Sequence, residues 1–301
     1  MFRRLVTCAV LAVTFVVAGS ADHVALVPAP GPTVSRQAVP VPVPSRATLT
    51  QTGELRISDI AHRGASAYAP ENTLAAFREA ARRHADLFEL DVRQTRDGKL
   101  IIMHDATLAR TTNVERVFPK RGPWRVEDFT LAEVRRLDAG SWKGKRFKGE
   151  RVPTLGETLR AMNGRGLGLL LEIKAPARQP GIGERVAAKL RAHRAWLRPG
   201  RLIMHCFNWD FAEHFHRLLP QVPIGLLGTA EPGRFAALAT YAGFLDTPYQ
   251  KVTTSYVSWA HRRHMKVFAW TVDDRRIMRR MIATGVDGII TDRPDTLRRA
   301  L

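Results

Sequence analysis

The chain reads as an α/β protein, a (β/α)8 TIM barrel, on two observations. Apolar strand-like runs alternate with amphipathic helix-like runs, the pattern of a parallel sheet wrapped by helices. From residue 51 onward the chain has about 250 residues, the size of one such barrel. The composition agrees with a globular protein: 45% of the 301 residues are apolar, and two cysteines cannot staple a fold. No apolar run reaches the roughly 18 residues of a membrane-spanning helix.

The first residues have a different order. Met1–Arg4 is basic, Leu5–Ala18 is apolar, and Gly19, Ser20 and Ala21 are small. That is the pattern of a secretory signal peptide over 1–21, with the cut expected after Ala21; an uncleaved anchor is the alternative. Cys8 sits inside the apolar run, not where a lipid-carrying cysteine would be. Residues 22–50 follow as a Pro-rich disordered spacer, with Pro28, Pro30, Pro32, Pro40, Pro42 and Pro44. Proline fixes φ and removes the backbone donor, so neither a helix nor a central strand forms there. The expected protein is secreted or extracytoplasmic, released or membrane-anchored, with its barrel domain over 51–301. Removal of the leader leaves Cys206 alone, which reads as a small apolar core residue rather than a catalytic thiol.

Strand-like runs fall at 57–61, 87–93, 100–103, 168–173, 202–206, 223–227, 243–247, 266–271 and 287–291. That is one more than eight. Residues 94–99 are too few for a parallel crossover, and Asp97-Gly98 is a hairpin turn signal. The second and third runs therefore pair antiparallel, and the barrel is irregular there. Leu74, Phe77 and Ala81 have helical spacing after Asn72 as a cap. Ile277, Met278, Met281 and Ile282 form another stripe after Asp273 and Asp274. The Gly- and Pro-containing stretch at about 105–165 reads as an insertion over the barrel mouth, with a short helix near 130–137.

Several runs end in ionisable residues. In Phe88–Arg93, side chains two apart share a face, so Glu89 and Asp91 point together into the barrel. Adjacent buried carboxylates need a cation, a proton or a basic partner. Their oxygen donors suit Ca2+ or Mg2+; two surface acids at a solvated strand end is the plainer reading. Glu172 and Lys174 share a face at the end of Leu169–Lys174, as a third acid or as a simple ion pair. His62 and His104 each close a strand-like run, and together they fit acid–base work near neutral pH.

The charge is +19, and 38 of the 47 basic residues are Arg. The skew reads first as coding bias and only then as function. Lys143–Lys148 is a basic loop, either solvated or steering anionic substrates to the mouth. No nucleic-acid partner is expected, because the basic residues are scattered and the chain carries an export signal.

The ordered series AHRGASAYAPENT at 61–73, FELDVRQTRDGKLIIMHD at 88–105, GERVPTLGETL at 149–159, LLLEIK at 169–174, FAWTVDD at 268–274 and GVDGIITDRPD at 285–295 resembles the glycerophosphodiester phosphodiesterase family over about 57–298. The resemblance implies hydrolysis of small-molecule glycerophosphodiesters to an alcohol and sn-glycerol 3-phosphate. It implies His62 and His104 as the acid–base pair, and Glu89, Asp91 and Glu172 around one divalent cation, Ca2+ or Mg2+. It places Arg63 and Lys174 on the phosphate, Glu71 behind Arg63, and Trp270 on the wall beside the glycerol or alcohol. One departure is Cys206-Phe207-Asn208, where many relatives have Ser-Phe. Two alternatives share the scaffold: a phosphodiesterase acting on lysophospholipids or phospholipids at an anionic membrane, and a non-catalytic barrel that binds a membrane or cell-wall surface.

Overall fold

A computed structural model describes residues 57–301. The expected leader at 1–21 and spacer at 22–50 lie outside the described residues. Nine strands follow in order: β1 Ser58–Ala61, β2 Leu87–Gln94, β3 Leu100–Ile102, β4 Gly168–Ile173, β5 Leu202–Cys206, β6 Ile224–Leu227, β7 Phe244–Pro248, β8 Lys266–Trp270 and β9 Gly288–Thr291. All but β3 are parallel, and they close into a cylinder because β1 pairs with both β9 and β2.

The irregularity sits where the chain pattern places it. β1 reaches only the start of β2, with Ile60 opposite Leu87 and Ala61 opposite Phe88. β3 pairs antiparallel with the far end of β2, with Val92 opposite Ile102 and Gln94 opposite Leu100. The turn between them closes through Thr95 N–H to the Lys99 carbonyl at 2.9 Å, and Gly98 takes the required left-handed φ of +71°.

Helices cover the outside. Leu74–Arg82 is capped by the Thr73 hydroxyl, which accepts from the Ala76 N–H. Asn72 is therefore not the cap; it takes φ +58° and turns its side chain to the site instead. Asp274 caps Arg275–Thr284. Leu155–Met162 belongs to this outer layer, since Leu155, Leu159 and Met162 lie in the core between helices and strands. The insertion therefore ends near residue 153. The boundary is a capping box in which Thr154 and Glu157 satisfy each other's backbone donors.

The insertion has its own small core, in which Leu108, Val114, Val126, Phe129, Val134 and Leu137 pack around Ile101 and Met103. It is tied to the loop after β1: Lys143 Nζ donates to the Ser66 carbonyl at 2.6 Å, and Arg146 to the Tyr68 carbonyl at 2.9 Å. It thus stands beside the ends of the strands that carry the ionisable residues.

Candidate active site

Strand alternation builds the site. On β2, Phe88, Leu90 and Val92 pack in the outer core, while Leu87 lies in a separate cluster inside the barrel. Glu89 and Asp91 continue the inner row. On β4, Leu170 is in that inner cluster and Glu172 is the next inner position. One step past inner residues Ile60 and Phe268 come His62 and Trp270.

These positions open on a cavity of about 110 Å³. His62, Arg63, Glu89, His104, Glu172, Lys174 and Trp270 line it, seven of the nine side chains named from sequence. Glu71 and Asp91 stand directly behind this lining. Glu71 accepts from Arg63 at 2.8 Å and from Arg110 through both carboxylate oxygens. Asp91 accepts from Asn72 Nδ2 at 2.7 Å and lies 3.5 Å from Lys174 Nζ and 3.6 Å from Arg63 Nε.

The loop after β1 is held in a conformation that few sequences tolerate. Arg63 and Asn72 both take positive φ. A Cβ on Gly64 would lie 2.6 Å from the Ala76 carbonyl carbon, and its φ is +80°. The shape delivers the Arg63 N–H to Glu89 Oε2 at 2.6 Å and its guanidinium to Glu71.

The buried carboxylates are unequally charged. Burial pushes Glu89 well up, and the neighbouring charges of Asp91 and Glu172 add to it. Glu172 is raised by burial and by Asp91 as well, despite Lys174 Nζ at 2.7 Å. Burial would raise Asp91 too, but Lys174 and Arg63 outweigh it and hold its carboxyl well below the usual range. Lys174 and Arg63 are raised in turn: burial opposes, and Asp91 leads the charges that prevail. Three acids against two bases leave Glu89 and Glu172 short of positive charge. Glu89, Glu172 and His205 each bring a donor atom within 4.8 Å of the others, so the donor set fits a divalent cation.

Both named histidines are backed by a carboxylate. His62 Nδ1 is 2.7 Å from Asp292 Oδ1, which also accepts from Ser66 Oγ at 2.7 Å. His104 Nδ1 is 2.7 Å from Asp105 Oδ1. Arg110 binds Asp105 in turn and holds its carboxyl down at about 2. Burial lowers His104 below the usual range. With Nδ1–H given to a carboxylate, Nε2 is the nitrogen free to exchange a proton.

His205 and Phe207 also line the cavity. Phe207 stacks edge-on against Trp270 with ring centroids 5.9 Å apart, and Trp270 Nε1 donates to the Asp246 carbonyl at 2.7 Å. Sequence reasoning passed over His205, Arg110 and Asp292. His205 carried a signal, since it follows inner residue Ile203 by two and ends an apolar strand as Glu172 does. Cys206 is buried, and burial pushes its thiol to about 12, as a core residue requires.

The mouth of the parallel barrel gathers two carboxylate-backed histidines, buried acids and two fixed bases, the groups that a phosphoric diester hydrolase would need. The profile of the glycerophosphoryl diester phosphodiesterase family matches residues 62–296, and the chain belongs to that family. It is 40% identical over 242 residues to a glycerophosphodiester phosphodiesterase of Caldanaerobacter subterraneus subsp. tengcongensis, covering 79% of this chain and 95% of that one. It is 34% identical to a glycerophosphodiester phosphodiesterase of Bacillus subtilis, covering 81% of this chain and 86% of that one. Among solved structures, an Oleispira antarctica phosphodiesterase in complex with the product sn-glycerol-3-phosphate superimposes with a TM-score of 0.73. That match is 30% identical and covers 81% of this chain and 96% of the other.

Proposed function

We propose that the chain hydrolyses glycerophosphodiesters to an alcohol and sn-glycerol 3-phosphate. His62 and His104 act as the acid–base pair, and Glu89, Asp91 and Glu172 surround one divalent cation. The observation that carries this is the convergence of both histidines, Glu89, Glu172, Arg63 and Lys174 on one cavity. The activities named for the relatives support it, and so does the product in the Oleispira structure.

Charge bookkeeping agrees. Three carboxylates, two bases, a divalent cation and a singly charged phosphodiester sum to neutrality. When bound, the cation would supply Lewis-acid polarisation of a phosphoryl oxygen, and the carboxylate oxygens around it suit Ca2+ or Mg2+. Arg63 and Lys174 face the phosphate and stabilise charge that builds on its oxygens. Glu71 keeps the Arg63 guanidinium aimed. One histidine Nε2 takes a proton from the attacking oxygen, of water or of the glycerol 2-hydroxyl. The other gives a proton to the departing alkoxide, which otherwise leaves poorly. Trp270 and Phe207 provide the apolar wall beside the glycerol or alcohol. Action outside the cytoplasm is part of the proposal, supported by the residue order of 1–21.

The test is release of glycerol 3-phosphate from glycerophosphocholine by the full chain and by His62→Asn and His104→Asn. Each variant is expected to lower kcat by at least about 10²-fold with little change in KM. Wild-type turnover in either variant would remove that histidine from the chemistry.

A further inference from the structure

We propose that His205 is a nitrogen ligand of the site's cation, giving the site a preference for a first-row transition ion of the Co2+ or Zn2+ kind over Ca2+. The inference rests on the cation of the preceding reading and adds a ligand and a selectivity to it.

His205 lies on β5, opposite Glu172 on β4 and Gly225 on β6. Its side chain is 2% exposed. Nδ1 is 2.8 Å from Oδ2 of Asp246, which comes from β7 and is fully buried. This pair spans β6 because residue 225 has no side chain. A Cβ there would lie 2.7 Å from Asp246 Oδ2 and 2.9 Å from the His205 Cβ. Gly225 does not take a positive φ, so what it provides is space rather than conformational freedom. Three adjacent strands thus cooperate in one hydrogen bond.

With Nδ1–H donating to the Asp246 carboxylate, Nε2 carries the lone pair. Nε2 is buried and has no hydrogen-bond partner, although His205 borders the cavity. Most buried polar side-chain atoms are hydrogen-bonded, so an unpartnered nitrogen on a cavity-lining histidine calls for a ligand. Here Nδ1 is engaged by Asp246, and the ring brings a nitrogen within 4.8 Å of carboxylate oxygens of Glu89 and Glu172. A carboxylate behind the imidazole is the usual outer partner of a metal-binding histidine. Oxygen-only sites suit Ca2+ and Mg2+, whereas imidazole nitrogen favours the later first-row ions.

The test uses the full chain, stripped with chelator, and reads binding rather than turnover. Co2+ is followed by visible absorption and Ca2+ by calorimetry, in wild type, His205→Gln, Asp246→Asn and Glu172→Gln. In His205→Gln the Co2+ affinity is expected to fall about 10–100-fold with a changed spectrum, and the Ca2+ affinity by less than about twofold. Asp246→Asn should weaken Co2+ by a smaller factor, and it carries the comparison if His205→Gln fails to fold. Unchanged Co2+ affinity and spectrum in the His205 variant, with both ions lost in Glu172→Gln, would overturn this inference and leave the carboxylate site standing. Equal losses of Co2+ and Ca2+ in His205→Gln would also overturn it, as the mark of a scaffold residue. A wild-type chain that binds neither ion would overturn the cation itself and this ligand with it.

Discussion

Leu87 and Glu89 are neighbours on the inner row of one strand, yet they belong to different regions. Leu87 packs with Ile60, Leu170, Phe244, Phe268 and Ile290 in an apolar floor that fills the barrel. Glu89, two residues on, borders the cavity with Glu172, His62 and Lys174. The same change occurs from Leu170 to Glu172, from Ile203 to His205 and from Phe244 to Asp246. The floor gains stability by removing apolar surface from water. The mouth gathers buried charge that folding alone does not favour, as the raised Glu89 and Glu172 show. One cylinder thus keeps its rigidity in one layer and its chemistry in the next, two residues higher.

Substitutions in the two layers should separate these roles. The largest effect belongs to the mouth: Glu172→Gln should lower kcat/KM by about 10³-fold while leaving the melting temperature equal or higher. A matching loss of stability would erase the distinction. On the floor, Phe268→Ala should cost about 3–5 kcal/mol in urea unfolding, while kcat of the folded protein stays near wild type.

A third substitution tests a buried acid outside the mouth cavity. Asp59 is fully buried on β1, and neither carboxylate oxygen has a hydrogen-bond partner. Burial first, then Asp86, raises its pKa from 3.8 to about 8. The unfolded chain therefore loses this proton at lower pH than the folded one. Stability from Asp59 is complete below about pH 4 and is lost as pH rises toward 8. Asp59→Asn should be more stable than wild type by about 1–3 kcal/mol near pH 8, with no gap near pH 4. A gap independent of pH would contradict the assignment. The smallest effect belongs to the insertion. Lys145→Gln with Lys148→Gln should lower kcat/KM by less than about tenfold at low salt and not at high salt. An unchanged salt dependence would leave these lysines as plain surface.

Much of this was legible in the chain. Apolar runs located all nine strands, and the short Asp97-Gly98 connection marked β3 as antiparallel. Period-two alternation put Glu89, Asp91 and Glu172 on the inner row. Alternation gives the face of a strand, not which cation a carboxylate will meet. Asp91 is held behind the lining because Asn72 turns through a left-handed φ to reach it and Lys174 approaches from β4. The His205–Asp246 pair joins residues 41 apart across a glycine, a relation no local pattern reports. The Thr154–Glu157 capping box was a local signal, and it sets the true end of the insertion.

We propose a cation-assisted phosphodiesterase at the mouth of this barrel. Its most direct test is glycerol 3-phosphate release from glycerophosphocholine by the full chain, after chelation and again after return of a divalent ion. Chelation is expected to abolish release, and the ion to restore it in wild type but not in Glu172→Gln. Undiminished release after chelation, or none with any ion from a folded sample, would contradict it.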